Sequence, residues 1–207
     1  SEMCIRDSLS TEQLQAIETA DLAAMSAAQV VSMGATLAAA LTTDQVQALT
    51  TAQAAALTTA QVVALSTEQV ANLETADLRA MSSTQFTALT SDQVVSLTAS
   101  QVAALETLDL RALNTDGIAA MGTDRIAALT ASQAAALTNA QVQALTDTQM
   151  AALTTANIRA MGTAQFAVIS STQVEGLGTA QVAALETADL RAMSTTAVAV
   201  SYTHLTL

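Results

Sequence analysis

The chain has no lysine, no proline and no tryptophan, and aromatic residues make up 1% of it. Its only Cys (Cys4), His (His204) and Tyr (Tyr202) lie within eight residues of an end. Each absence excludes something. Without Lys, and with a net charge of −12, the surface has no basic patch for nucleic acid or for an anionic membrane. Between the ends there is no His, Cys, Tyr or Lys, so the many Ser and Thr have no base to activate them as nucleophiles. No run approaches the ~18–20 uninterrupted apolar residues of a membrane helix, because Thr, Ser, Gln or Asp recurs every few positions. Lack of Cys in the middle leaves the redox compartment unread.

What is present is a period. Stepping by eight from Leu9 gives Ile17, Met25, Met33, Leu41 and Leu49, and the series runs without insertion or deletion to Leu185 and Met193. Every member is Leu, Ile or Met. We number the octad from the residue that follows each of these, so that Thr42-Thr43-Asp44-Gln45-Val46-Gln47-Ala48-Leu49 is a complete copy. Position 5 is a second apolar site, as at Val46, Val62, Val70, Leu78, Phe86 and Val94, with Ala38, Ala54 and Ala134 as small exceptions. Position 7 is nearly always Ala, and positions 2, 3 and 6 vary and carry most of the polar residues.

One long helix does not fit. At about 100° per residue the apolar stripe would drift by about 80° per octad and face no partner consistently. A coiled coil needs a period near 3.5. The octad reads instead as one complete short helix. Position 1 is Ser, Thr, Gly or Asn in most copies, the residues that cap helix N-termini. Position 4 is mostly Gln, so Thr42-x-x-Gln45 and Thr50-x-x-Gln53 match a capping box. The preceding Leu and the position-5 Val then form the hydrophobic staple around that cap. Gly34, Gly122, Gly162 and Gly178 stand at position 1, where a left-handed residue could end the previous helix. Glu18, Glu74, Glu106 and Glu186 also occupy position 1, and there the cap is expected to shift to the next Thr.

The expected fold is therefore all-α: a solenoid of very short capped helices, one per octad, because so short a helix cannot stand alone. A β-solenoid is the alternative, with Thr and Val as strand formers and Gln ladders. Ala, Leu, Met and Gln outweigh β-branched residues at positions 4–8, and strict alternation is absent, which favours helix. Residues 9–199 form the octad-repeat solenoid. A shift of 80 residues superposes Arg79 on Arg159, Phe86 on Phe166, Glu106 on Glu186 and Arg111 on Arg191, an internal duplication of a ten-octad block.

No catalytic, cofactor-binding or metal-binding residue is assigned, and the chain is expected not to be an enzyme. Asp77 with Glu74, and Asp189 with Glu186, are the acid–base candidates. Their recurrence in Glu-Thr-Ala-Asp-Leu-Arg-Ala-Met copies reads better as a cap and a first-turn acid near the helix dipole. Calcium-repeat and EF-hand patterns are absent. Phe86, Phe166 and Met150 at position 5, and Met81, Met121 and Met161 at position 8, read as packing residues. Arg79, Arg111, Arg159 and Arg191 take position 6, expected to be solvated and paired with acids such as Glu74 and Asp77 on nearby helices. Their separations are all multiples of sixteen, which points to two octads per solenoid rung and one charged edge.

The octad Thr58-Thr59-Ala60-Gln61-Val62-Val63-Ala64-Leu65 resembles repeats of very large bacterial surface or secreted proteins, often labelled adhesins or haem-utilisation proteins. The resemblance covers residues 9 to about 199. It implies an extracellular or cell-surface location and a structural stalk or spacer, or a binding module presenting a regular Thr face to a repetitive ligand such as glycan or ice. It gives no support for haem, since the middle of the chain holds no His, Cys or Tyr to ligate iron. The ligand, if there is one, is unknown; self-association is the other option, and neither nucleic acid nor membrane insertion is expected. Residues 1–8 and 200–207 resemble translated sequencing-adapter DNA, so both are expected to be non-native ends of a metagenomic fragment.

Overall fold

The computed structural model describes residues 9–204, with side chains to residue 199. Cys4 and the side chains of Tyr202 and His204 lie outside the described set. Among the described residues the chain forms 24 helices and no strand, which excludes the β-solenoid. Most are six residues long, as in Thr51–Ala56, Thr59–Ala64 and Thr75–Ala80.

The capping logic of the octad accounts for where each helix begins. Thr50 is extended (φ −83, ψ 156), and its Oγ1 accepts the Gln53 N–H at 3.3 Å, while the Gln53 side chain accepts the Thr50 N–H at 2.8 Å. The same reciprocal pair recurs at Thr58/Gln61, Thr98/Gln101 and Thr138/Gln141. Helices end because the position-8 Leu returns to an extended conformation, as at Leu65 (φ −63, ψ 139). It becomes the N′ residue of the next copy, its side chain turned inward.

Two expectations about caps need correction. At Glu18, Glu74 and Glu106 the cap does not shift to the next Thr: the Glu itself is the extended N-cap, without a side-chain cap bond, and the Thr is the first helical residue. Glu186 is likewise the N-cap of Thr187–Ala192. Position-1 Gly is not a general left-handed terminator either. Only Gly34 has a positive φ (75°); Gly122, Gly162 and Gly178 are extended N-caps at −66°, −99° and −74°. Extended N-cap geometry needs no left-handed residue, so Thr, Ser, Glu and Gly all serve there.

The helices gather into two compact units that divide at an octad boundary, Ser1–Leu105 and Glu106–Leu207. Within each, every helix packs against the one three octads on. In the first unit Gly34–Ala40 meets Thr59–Ala64 and Thr51–Ala56 meets Thr75–Ala80; in the second, Ala131–Ala136 meets Thr155–Ala160. Hydrogen bonds reach one octad further, as described below. One turn of each solenoid therefore spans more than three octads. The two-octad rung read from the Arg spacing is wrong: helices pack three octads apart and bond four octads apart, and the 48 residues between Arg111 and Arg159 are not a whole number of four-octad steps.

The core is the repeat itself. Position 5 is buried throughout most of the chain, from Leu14 and Leu22 to Phe166 and Val174, and position 8 is buried from Leu41 to Leu177. Exceptions fall near the two ends of the array: Ile17, Met25 and Met33 are half-buried, as are Val182, Leu185 and Leu190. Position 7 is mostly half-buried, and positions 2, 3 and 6 mostly exposed, as in Thr51, Ala52 and Ala55. Leu97 is fully buried and Ala103 is exposed. Leu97→Ala should cost about 2–5 kcal/mol by loss of buried area and cavity formation, whereas Ala103→Gln should be nearly neutral. Urea denaturation followed by circular dichroism checks both, and similar losses would contradict these faces.

Candidate functional site: the buried glutamine ladder

Position 4 was assigned only to the cap, yet it is one of the most buried positions in the molecule. Gln45, Gln53, Gln61 and Gln69 are 1–3% exposed, as are Gln133, Gln141 and Gln149 in the second unit. The reason lies in the other end of the amide. Gln53 Nε2 donates to the Leu22 carbonyl at 2.8 Å and to the Met25 carbonyl at 2.7 Å. Gln85 Nε2 repeats this with Ala54 (3.0 Å) and Leu57 (2.8 Å), and Gln93 Nε2 with Val62 (2.8 Å) and Leu65 (2.7 Å). In the second unit Gln165 bonds Ala134 and Leu137, and Gln173 bonds Val142 and Leu145.

The acceptors belong to the octad four copies earlier, at positions 5 and 8 in most copies, with the position-6 carbonyl a longer third contact at several and the second partner at Gln61. These carbonyls lie at the C-terminal end of a short helix: the position-5 carbonyl has only the amide of its own position-8 residue, as Leu65 N–H to Val62 at 3.2 Å, and gains a second donor here. A single Gln thus finishes two helices. Its Oε1 takes the N-cap amide of its own helix, and its Nε2 takes C-terminal carbonyls of another. Gln13 and Gln29, which have no octad four copies before them among the described residues, keep the capping pair but are exposed.

The sequence held a signal for this that capping rules alone do not expose. A capping box accepts Glu as readily as Gln, yet Glu never occurs at position 4 of any octad, although it occurs one position earlier at Glu12 and Glu68. A carboxylate could accept the cap amide but could not donate to the carbonyls, and the four carboxylates that do stand at position 4, Asp21, Asp77, Asp109 and Asp189, are all the shorter Asp.

Asn157, one methylene shorter, makes half the bridge. Its Oδ1 accepts the Thr154 N–H at 2.9 Å, and its Nδ2 donates to Leu129 at 2.8 Å. Asp77 and Asp109 stand in the same place and are 3% and 5% exposed. Burial pushes the Asp77 carboxyl up to about 6, and the nearby Glu74 carboxylate adds to this. Asp109 is also raised to about 6, by burial and then by Glu106. Asp77 Oδ2 is buried without a hydrogen-bond partner. Asp189 instead accepts the Glu186 N–H at 3.2 Å through Oδ2.

The structure does bring Glu74 close enough to Asp77 to influence it, but the side chain of Asp77 faces the helix stack rather than an open cleft, a poor place for an acid–base pair to meet substrate. Arg79, Arg111, Arg159 and Arg191 are exposed as expected. The expected pairing with neighbouring acids is not found: none of the four lies within 4.0 Å of a carboxylate among the described residues. Arg125, at position 4, does contact Asp124 at 3.6 Å. Among the described residues no group of three or more His, Cys, Asp or Glu could hold a metal ion, and no helix is long and apolar enough to cross a membrane.

The ladder predicts a ranking at Gln93. Gln93→Ala removes the bridge and strands buried carbonyls and an amide, at a cost of about 1–3 kcal/mol. Gln93→Glu keeps the acceptor for the Thr90 N–H but sets a buried carboxylate against the carbonyls, and should cost more than Ala at pH 7.5. Equilibrium unfolding of the three proteins at that pH checks the order.

A family model for the ALTTAQ repeat matches residues 14–51, 47–75, 70–107, 102–139 and 155–186. No curated protein and no solved structure matches the chain.

Proposed function

We propose that this chain, which belongs to the ALTTAQ repeat family, is a non-enzymatic structural spacer, the stalk-like repeat region of a secreted or cell-surface protein of adhesin type. The observation that carries this reading is the internal use of its polar groups. The position-1 hydroxyl is taken by the helix cap, and the position-4 amide by the ladder. What remains outside, at positions 2, 3 and 6, is mostly small neutral and acidic residues, with Arg79, Arg111, Arg159 and Arg191 as isolated exposed cations. A solenoid whose units couple to near neighbours carries load along its length without needing a pocket. The resemblance of the octads to those of very large surface proteins supports the location.

A second reading has one observation in its favour. The position-2 hydroxyls of Thr51, Thr59 and Thr67 are exposed, so a row of hydroxyls recurs every octad. This row could meet a repetitive ligand such as glycan or ice. The two readings separate by experiment. Held between two handles and pulled, the spacer should resist and then unfold in steps that release whole octads; extension without any force plateau would sink the load-bearing role. On glycan arrays and in ice-recrystallisation assays the spacer should be inactive. Activity abolished by Thr51→Val, Thr59→Val and Thr67→Val together would favour the second reading.

A further inference from the structure

Asp77 interrupts the ladder at a defined place. The preceding octad's Gln69 bonds Leu41, and the following octad's Gln85 bonds Leu57. By the same register, the carbonyls meant for position 4 of the octad 74–81 are those of Val46 and Leu49. A carboxylate has no proton to give them, and Asp77 Oδ2 is left buried and unpartnered. The chain contains its own control. Eighty residues on, in the duplicated block, the equivalent position is Asn157, which has the size and shape of a neutral aspartic acid. Asn157 accepts the amide of its N-cap and donates to the carbonyl 28 residues earlier.

We propose that Asp77 is a proton-operated latch in the solenoid: protonated, its Oδ2–H donates to the Leu49 carbonyl and closes the seam between octads 42–49 and 74–81, and ionised, it sets a buried charge against that carbonyl and loosens the seam. The raised titration of Asp77, near 6, places the change in mildly acidic conditions. The groups around it do not offset the charge. Helices Thr51–Ala56 and Ala99–Ala104, which pack on Thr75–Ala80, carry no titratable residue. Thr43–Gln47 carries only the exposed Asp44, and the adjacent octad the exposed Glu68. Its own octad adds Glu74, which opposes ionisation, and Arg79, exposed and with no carboxylate within 4.0 Å. Asp109 holds the same octad position in the second unit. Its own octad holds Glu106 and Arg111, the adjacent octad Asp116, and the packed helix Ala131–Ala136 no charge.

The sign follows from linkage. A carboxyl whose folded value lies above its unfolded value binds the proton more tightly in the native state. Its contribution is therefore fully present below about pH 4, is lost as pH rises to about 6, and stays lost above that. Each pH unit in that window changes the folded-to-unfolded ratio by up to about tenfold per such group.

The test compares the full chain with Asp77→Asn and Asp77→Leu by urea denaturation at pH 4 and pH 7.5. Comparison at each pH removes the general effect of neutralising an acidic surface. Asp77→Asn should be more folded than wild type at pH 7.5, by tenfold or more in the unfolding equilibrium, and should match it at pH 4. Asp77→Leu removes the charge but offers no donor, so it should fall below Asp77→Asn at both pH values. An Asn variant no more stable than wild type at pH 7.5, or a gap of equal size at both pH values, would overturn the latch. So would a rise in wild-type stability with millimolar calcium chloride at pH 7.5 that the Asn variant lacks, since the site would then take a cation rather than a proton.

Discussion

A six-residue helix is nearly all ends. The first four amides and last four carbonyls of any α-helix lack intrahelical partners, so in Thr59–Ala64 almost every backbone group must find one elsewhere. The whole molecule depends on how these orphans are satisfied. Capping by Thr58 and Gln61 deals with the N-terminal side locally. The C-terminal side cannot be finished locally, because the chain turns straight into the next cap. Gln93, arriving from four octads on, supplies a donor to Leu65 and a second one to Val62, whose carbonyl otherwise has only the Leu65 amide. Local and long-range structure are thereby fixed by one side chain, and neither end of the bridge makes sense without the other.

Apolar burial alone would not specify the stack so tightly. Leu and Val at positions 8 and 5 favour association, but that force is non-directional. A shift by one or two residues within the octad would still set apolar against apolar, since Ala, Val and Leu recur at positions 5, 7 and 8. The amide bridge adds a directional constraint at a fixed separation of 31 and 28 residues. Shortening the side chain shows its tolerance: Asn157 reaches one carbonyl where Gln165 reaches two. The seam is strongest where Gln stands, weaker at Asn, and electrostatically opposed at Asp77.

Much of this fold was legible because the octad packs its cap, its staple and its apolar face into adjacent positions. Thr50, Gln53 and Leu57 announce start, cap and end from nearest-neighbour chemistry. The interior role of Gln53 was harder to read for a physical reason. Its Oε1 already had an explanation in the cap, so nothing demanded a partner for Nε2; only the exclusion of Glu carried that information. The number of octads per turn was also hidden. Arg79, Arg111, Arg159 and Arg191 are surface residues that take no part in the packing or the bridge, so their spacing carries no information about the step. The helix-capping Glu residues misled because a long side chain without a cap bond is tolerated wherever the backbone stays extended, as at Glu74 and Glu106.

The same division of labour decides where function can reside. Positions 4, 5 and 8 are committed to the interior and position 1 to the helix cap, and Gly117 or Arg125 at position 4 already marks a departure from the ladder. Positions 2, 3 and 6 mostly point outward and accept Thr, Ala, Asp, Gln or Arg, with only a few of them, such as Thr148 on Thr146, touching a cap hydroxyl. Even Leu108, at position 3, is 66% exposed and leaves the buried Leu110 beside it in place. Sequence there is free to follow a partner or simply solubility. A chain built this way holds its architecture in half of each octad and any recognition in the other half, which is why the first is so regular and the second so variable.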